Sequence, residues 1–375
     1  MRRANILAGS WMQDAGMETS QDRAGTLVGR LESPEPTNEV LLIGSHLDTV
    51  RDAGSYDGAL GVIVAIAALE KLRSEAISLR YNVDIVAFGD EEGVRYQSSF
   101  LSSRYFLGHL PKEELDLLDA DGISLGQALG ALAVERPHAG YGPEEEFLGY
   151  VECHIEQGSQ LEKKDLALGV VSGIIGQTRA RFRIVGKSAH AGGASMEERR
   201  DALAGAAEVI TMCESFALKS DGLVATVGCL DILNPASNTV PGEVTGTVDI
   251  RHSDDRRREE FCHRLEGAAR ERLEKRGLGF EFQVIAETPS TFSADRLTSL
   301  LEKSVLEVQT SCPVLESNAG HDAVAMAMEM GVAMLFVRCR DGLSHHPDEF
   351  VEPTDIEVAI DTMARFLVAL NELDS

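Results

Sequence analysis

The sequence has no C-x-x-C motif and no paired cysteine spacing. Its six cysteines, Cys153, Cys213, Cys229, Cys262, Cys312 and Cys339, are scattered, which argues against a disulfide framework and reads as reduced, buried thiols. It also lacks a long hydrophobic run. The longest, Ala59 to Leu69, has eleven residues, whereas a membrane span needs about 20. The opening residues Met1 to Ser10 hold no apolar stretch long enough for a secretory signal, so a cytoplasmic location is expected. Positive charge is the third scarcity. With 35 Lys and Arg against 61 Asp and Glu, the formal charge is −26, and such a surface repels nucleic-acid phosphates and anionic lipid. Neither nucleic acid nor membrane is therefore expected as a partner, and an anionic substrate would need a local cluster of Arg and His.

A chain of 375 residues exceeds one core of ordinary size, which predicts two domains. Its 43% hydrophobic and 26% charged residues are ordinary for a globular protein, so the whole chain is expected to fold. Apolar runs at Val40–Gly44 and Tyr81–Phe88, around a helical pattern at Gly58–Arg73, have the rhythm of a βαβ unit over a largely parallel sheet. The middle of the chain reads differently. A half-exposed strand at Thr178–Val185 is followed by a helix at Glu197–Leu218 and strands at Leu223–Leu230 and Val244–Arg251. A helix at Asp254–Lys275 and a strand at Gly279–Ala286 complete the series. That βαββαβ order matches a ferredoxin-like unit. Helices at Leu297–Val308, Asp322–Met330 and Thr354–Leu373 and a strand at Val332–Val337 complete the pattern. The fold class expected is α/β: a mixed, largely parallel sheet domain, residues 1–175 and 288–375, interrupted by an inserted domain at 176–287.

Polar clusters follow two of the strands, Ser45-His-Leu-Asp48 and Gly89-Asp-Glu-Glu92, and in open α/β sheets the ligand site lies beyond the carboxyl ends of strands. Five candidate metal ligands sit in separate short motifs: His46, Asp57, Glu92, His154 and His345. Imidazole with carboxylate and no thiolate suits Zn²⁺, Mn²⁺ or Co²⁺. Five ligands exceed what one catalytic zinc uses, and with Asp57 as a bridge each of two ions would have three protein ligands. Taken singly each motif has a plainer reading. An Asp-Gly is commonly only a turn, and a lone His at a strand end is commonly a hydrogen-bonded core residue. Adjacent Glu91 and Glu92 are harder to dismiss, because neighbouring carboxylates repel unless a cation or proton intervenes. Asp48 is placed to accept the far N–H of a liganding His46, and Glu91, beside a ligand, suits a general base.

Seven motifs, in order along nearly the whole chain, carry a family resemblance: Gly44-Ser-His-Leu-Asp-Thr-Val50, Tyr56-Asp-Gly-Ala-Leu-Gly-Val62, Asp90-Glu-Glu-Gly-Val-Arg95, His154-Ile-Glu-Gln-Gly158, Ala189-His-Ala-Gly192, Ala319-Gly-His-Asp-Ala323 and Ser344-His-His-Pro-Asp-Glu349. The sequence resembles the hydantoinase/carbamoylase-type metallo-amidohydrolases. The resemblance implies hydrolysis of a linear amidine or amide C–N bond by two divalent ions per subunit, Mn²⁺ or Zn²⁺, in a homodimer paired through the inserted, lid-forming domain. It further implies that His190, Asn238 and Arg251 bind an anionic ureido substrate, that Gln177 and the backbone near Gly320 assist, and that His190 comes from the partner subunit. His190 would also donate to the oxyanion, and Arg251 could clamp a carboxylate with two hydrogen bonds.

Segments Asp52–Asp57, Glu92–Phe100, Gly176–Arg179 and Leu335–Arg340 are similar to the branch of that family whose substrate is allantoate. The sequence departs from the family pattern at Ala191–Met196, which lacks a Pro before the Met, and at Asn318, where a Gly is usual. The rival substrate is an N-carbamoyl-L-amino acid, for which an apolar pocket would be expected in place of Gln177. A catalytically silent ligand-binding protein on the same fold is the reading from another class, and the intact ligand set with Glu91 argues against it.

Overall fold

The computed structural model describes residues 1–130, 141 and 144–373. The expectation that the whole chain folds falls partly on residues 131–140, 142–143 and 374–375, which lie outside the described residues. The chain divides into two compact units, Met1–Ile174 with Phe292–Ser375, and Ile175–Thr291.

The first unit is built on a nine-stranded mixed sheet. Its order is Glu18–Gln21, Leu27–Leu31, Asn82–Phe88, Glu39–His46, Glu146–Ile155, Val332–Val337, Leu168–Ile174 and Thr291–Phe292, and Val314–Ser317 pairs with Leu168–Ile174 off this path. The four central strands, from Asn82–Phe88 to Val332–Val337, run parallel, and antiparallel pairs flank them. Parallel strands are covered on both faces and so read as continuous apolar runs. Val40, Leu41, Leu42 and Ile43 are accordingly all fully buried. Alternate side chains serve opposite faces. Leu41 and Ile43 join the cluster that includes Leu60, Val64 and Phe366, whereas Val40 and Leu42 pack with Phe88, Phe106 and Met326.

The helix Ala59–Ser74 buries Leu60, Val62, Val64, Ile66, Leu69 and Leu72. Each such side chain contributes about 1.5–3 kcal/mol. Its approach to the sheet is set by Gly61, where a Cβ would stand 2.0 Å from the Cys153 carbonyl oxygen. No helix among the described residues is long and apolar enough to cross a membrane.

The second unit holds a four-stranded antiparallel sheet in the order Gly279–Thr288, Gly176–Val185, Glu243–His252, Val224–Ile232. Burial along Gly176–Val185 alternates, and its inward residues Phe182 and Ile184 join Val244, Val248 and Ile250 in one core with the helices Ala202–Ala217 and Asp255–Glu274.

Several elements differ from the sequence reading. The first of these helices begins at Ala202 and not at Glu197, because Asp201 caps it by accepting the N–H groups of Leu203 and Ala204 at 3.0 and 3.1 Å. The helix expected over Asp322–Met330 ends at Met326. The second unit extends through Thr291, since its last strand runs to Thr288. A helix at Arg2–Asp14 and the paired strands Glu18–Gln21 and Leu27–Leu31 were not anticipated. Cys229 is exposed on the edge strand Val224–Ile232 and Cys312 is half-buried, so the expectation of six buried thiols fails for these two.

Candidate metal centre

Three adjacent parallel strands bring the motifs together at their carboxyl ends. His46 closes Glu39–His46 in register with Phe88, Glu91 and Glu92 follow Asn82–Phe88, and His154 lies one residue from the end of Glu146–Ile155. Asp57 precedes the helix Ala59–Ser74. Gly58 between them has φ +65, and a Cβ there would stand 2.4 Å from the His46 ring. Glycine is therefore needed twice over, for the left-handed backbone and for the approach of the imidazole. His345 also has a left-handed backbone, φ 56, an uncommon conformation for a residue with a side chain.

The two buried histidines are held in the same way. His46 Nδ1 donates to the Asp48 carbonyl at 2.9 Å, and His154 Nδ1 donates to the Ile155 carbonyl at 2.9 Å. In the neutral ring each Nε2 is thereby left with a lone pair for a ligand. The two Nε2 atoms lie 3.4 Å apart, and Asp57 Oδ1 is 3.8 Å from that of His46 and 3.2 Å from that of His154. On the other side, Asp57 Oδ2 and Glu92 Oε1 are each 3.0 Å from His345 Nε2. The geometry thus forms two donor groups sharing Asp57: His46, Asp57 and His154, and Asp57, Glu92 and His345.

Electrostatics fit a cation in each. Burial pushes the Asp57 carboxyl up, but hydrogen bonds from His154 and His345 outweigh it and hold the group well below the usual carboxylate range. The same bonds, with Glu92, push His345 up to about 10. His154 is raised as well, because Asp57 outweighs its burial. Two lone-pair nitrogens and several carboxylates gathered in a buried space repel one another unless positive charge is supplied. A protonated His345, pushed up to about 10, meets part of that need, and a divalent cation would replace its proton.

Glu91 is buried. Burial, then the carboxylates of Asp322, Glu92, Asp48 and Glu152, push its carboxyl well above the ordinary range. Asp48 differs in role from the sequence reading. It accepts from His46 through its main-chain carbonyl, and its carboxylate stands 3.7 Å away. That carboxylate instead accepts the N–H groups of Glu91 and Glu92, at 3.1 and 3.3 Å, and so holds the turn that carries both.

The candidate substrate residues fall in two places. Gln177, His190, Asn238 and Arg251 are on the second unit and Gly320 on the first. Gln177 and Arg251 are register partners and share Asp249, to which Gln177 Nε2 donates at 2.5 Å and Arg251 Nε at 2.8 Å. His190 and Asn238 meet at the short ladder Ala189–His190 with Thr239–Val240, where the Asn238 carbonyl accepts from Ala191 N–H at 2.8 Å. Gly320 packs on Phe100, whose ring would lie 2.7 Å from a Cβ.

Three buried groups, Glu152, His321 and Asp322, and the half-buried Gln157 were missed as site residues. Glu152 accepts from Ser45 Oγ at 2.9 Å and Ala323 N–H at 3.0 Å. Glu152, His154 and His321 form a third donor group, but His154 has only one free nitrogen, so this group competes with the first and adds no further position. Gln157 Nε2 donates to Asp57 Oδ1 at 3.3 Å. The signal available was spacing. Glu152 alternates with His154 on one strand, and His321 and Asp322 lie inside the Ala319–Ala323 motif.

The sheet with donor groups at its carboxyl edge defines a metal-dependent hydrolase class. Residues 42–369 match the model of peptidase family M20/M25/M40, and the chain belongs to that family. It is 40% identical to allantoate deiminase from Arabidopsis thaliana, over 97% of this chain and 76% of that protein. It is 33% identical to N-carbamoyl-L-amino-acid amidohydrolase from Pseudomonas sp. (strain NS671), over 95% of this chain and 87% of that protein. Among solved structures, an amidase of the hydantoinase/carbamoylase family from Burkholderia multivorans superposes with TM-score 0.87 at 28% identity, covering 98% of this chain and 90% of that one. AtUAH, solved in complex with glyoxylate, superposes with TM-score 0.79 at 28% identity, over 98% of this chain and 89% of that one.

Proposed function

We propose that the chain hydrolyses allantoate to ureidoglycine, ammonia and CO₂ with two divalent cations, Mn²⁺ or Zn²⁺, which His46, Asp57, Glu92, His154 and His345 would hold, Asp57 being common to both donor groups. The observation that carries this reading is the division of the Asp57 carboxylate, with Oδ1 facing His46 and His154 and Oδ2 facing His345 beside Glu92. When bound, two such cations polarise a ureido carbonyl and acidify the attacking water. Glu91 takes the proton of that water and passes it to the leaving nitrogen. Asp48 fixes Glu91 and Glu92 through their backbone N–H groups.

His190 supplies the donor for the developing oxyanion. Its Nδ1 accepts the Gly192 N–H at 3.1 Å, so a neutral ring carries its proton on Nε2, the nitrogen free to donate. Arg251 holds the substrate carboxylate, and Asn238 and the backbone at Gly320 orient the ureido arm. Gln177, whose amide nitrogen is committed to Asp249, presents its carbonyl oxygen to the N–H groups of the second ureido arm. That polar pairing favours allantoate over an N-carbamoyl amino acid with an apolar side chain.

The unit Ile175–Thr291 serves as lid and dimerisation domain, and His190 reaches the partner's centre. Free cysteines favour a cytoplasmic location. The test is ammonia release by protein purified with Mn²⁺, with allantoate assayed beside several N-carbamoyl-L-amino acids. Faster turnover of the latter would move the assignment to the second substrate class.

A further inference from the structure

The last motif ends in Glu349, a buried carboxylate to which neither the five ligands nor the substrate residues assign a task. Its Oε1 accepts the backbone N–H of Tyr56 at 2.8 Å and of Asp57 at 3.1 Å. Its Oε2 accepts the Ser344 hydroxyl at 2.8 Å. One carboxylate therefore ties together the two loops that carry Asp57 and His345, residues far apart in sequence. The packing is close. A Cβ at Gly54 would stand 2.3 Å from both Cβ and Oε1 of Glu349, so the Asp57 loop closes over this side chain only because residue 54 has none.

The Ser344 hydroxyl has a single proton and two acceptors in reach, Glu349 Oε2 at 2.8 Å and Asp57 Oδ2 at 3.4 Å. The shorter contact takes the proton, and the Ser344 oxygen then accepts from Gln157 Nε2 at 3.2 Å. Asp57 Oδ2 is thereby spared a hydrogen bond that would compete for the lone pairs it turns toward Glu92 and His345.

We infer that Glu349 is a positioning residue of the dinuclear centre: it locks the Asp57 and His345 loops in one geometry and directs the Ser344 proton away from the bridging carboxylate. This rests on the proposed two-cation reading. Glu349→Gln keeps the shape but changes the pattern. Its amide N–H₂ faces Ser344 as a donor, so the hydroxyl turns to Asp57 Oδ2. Ser344→Ala removes one arm and leaves the Tyr56 and Asp57 bonds in place.

The experiment is a competition titration of Mn²⁺ against a chelator on the full chain, with thermal unfolding of the cation-stripped protein alongside. Glu349→Gln is expected to weaken at least one of two Mn²⁺ sites tenfold or more, and Ser344→Ala less than that, with stripped-protein melting little changed. Binding of two ions by Glu349→Gln at wild-type affinity would overturn the inference. So would a loss of affinity matched by an equal loss for Ser344→Ala together with a collapsed melting temperature, which would mark a role in folding only. Failure of the wild type itself to bind two ions would instead overturn the two-cation reading.

Discussion

In the proposed reaction Asp57 carries the largest share of the chemistry, because its one buried carboxylate belongs to both donor groups. Asp57→Ala is expected to lose bound metal together with activity, and elemental analysis finding two ions per chain in that variant would show a differently built site. Glu91 is in neither of the two donor groups that share Asp57, so Glu91→Gln is expected to retain both ions while kcat falls by roughly 10²–10⁴, the span of a lost general acid–base. Turnover near wild type would remove Glu91 from the reaction. A third expectation follows from His345, whose value is pushed up to about 10 by Asp57 and Glu92. A ligand must be neutral, so at pH 7.5 cation binding expels this proton, and apparent affinity climbs with pH until about 10. In the cation-stripped protein the sign is that of a raised base. Its contribution to stability is full below the unfolded value near 6.5 and is lost as pH rises through about 10. Calorimetric Mn²⁺ titrations in two buffers of different ionisation heat measure the released protons, and identical heats in both would contradict the expectation.

At the scale of elements, the helix Ala59–Ser74 transmits packing to the site. Gly61 rests on the carbonyl of Cys153, the residue before His154, and Asp57 lies just ahead of the helix. Gly61→Ala must push the helix from the strand, at a cost of about 1–3 kcal/mol typical of overpacking, and it would shift Asp57 relative to His154. Chemical denaturation is expected to show the loss, and Mn²⁺ affinity is expected to fall with it; unchanged values for both would mean that the helix yields without moving the ligands. Elements of this kind were readable where a period or a run was strong, as in Val40–Gly44 and Val332–Val337. Boundaries set by one side chain were less so. The start at Ala202 depends on the Asp201 cap, and the short strands Glu18–Gln21 and Leu27–Leu31, with few inward residues, are too brief for a pattern to emerge.

For the whole molecule, the proposed division of labour between the two units has a direct test. The five candidate ligands and Glu91 are on the first unit and His190 is on the second. If a partner donates His190, mixing His190→Ala with Glu91→Gln protein, each nearly inactive, is expected to restore activity after subunit exchange. Complete exchange leaves about half the dimers mixed, and each of those has one site with both groups intact. Verified exchange without recovery would place His190 in its own subunit's site or outside the reaction.

The sequence by itself determined the donor types, their distribution over strand ends, and the α/β rhythm that places them at one edge of a parallel sheet, because residue chemistry and periodicity are local properties. Only the tertiary structure decided which donors share which space. That Asp57 turns one oxygen to His46 and His154 and the other to His345, that Asp48 grips Glu91 and Glu92 by their backbone, and that Glu349 joins two loops are facts of long-range packing. The Glu349 contacts to Asp57 and Tyr56 join positions separated by 292 and 293 residues, and no local pattern encodes them, because their partners meet only when the sheet and its loops have closed.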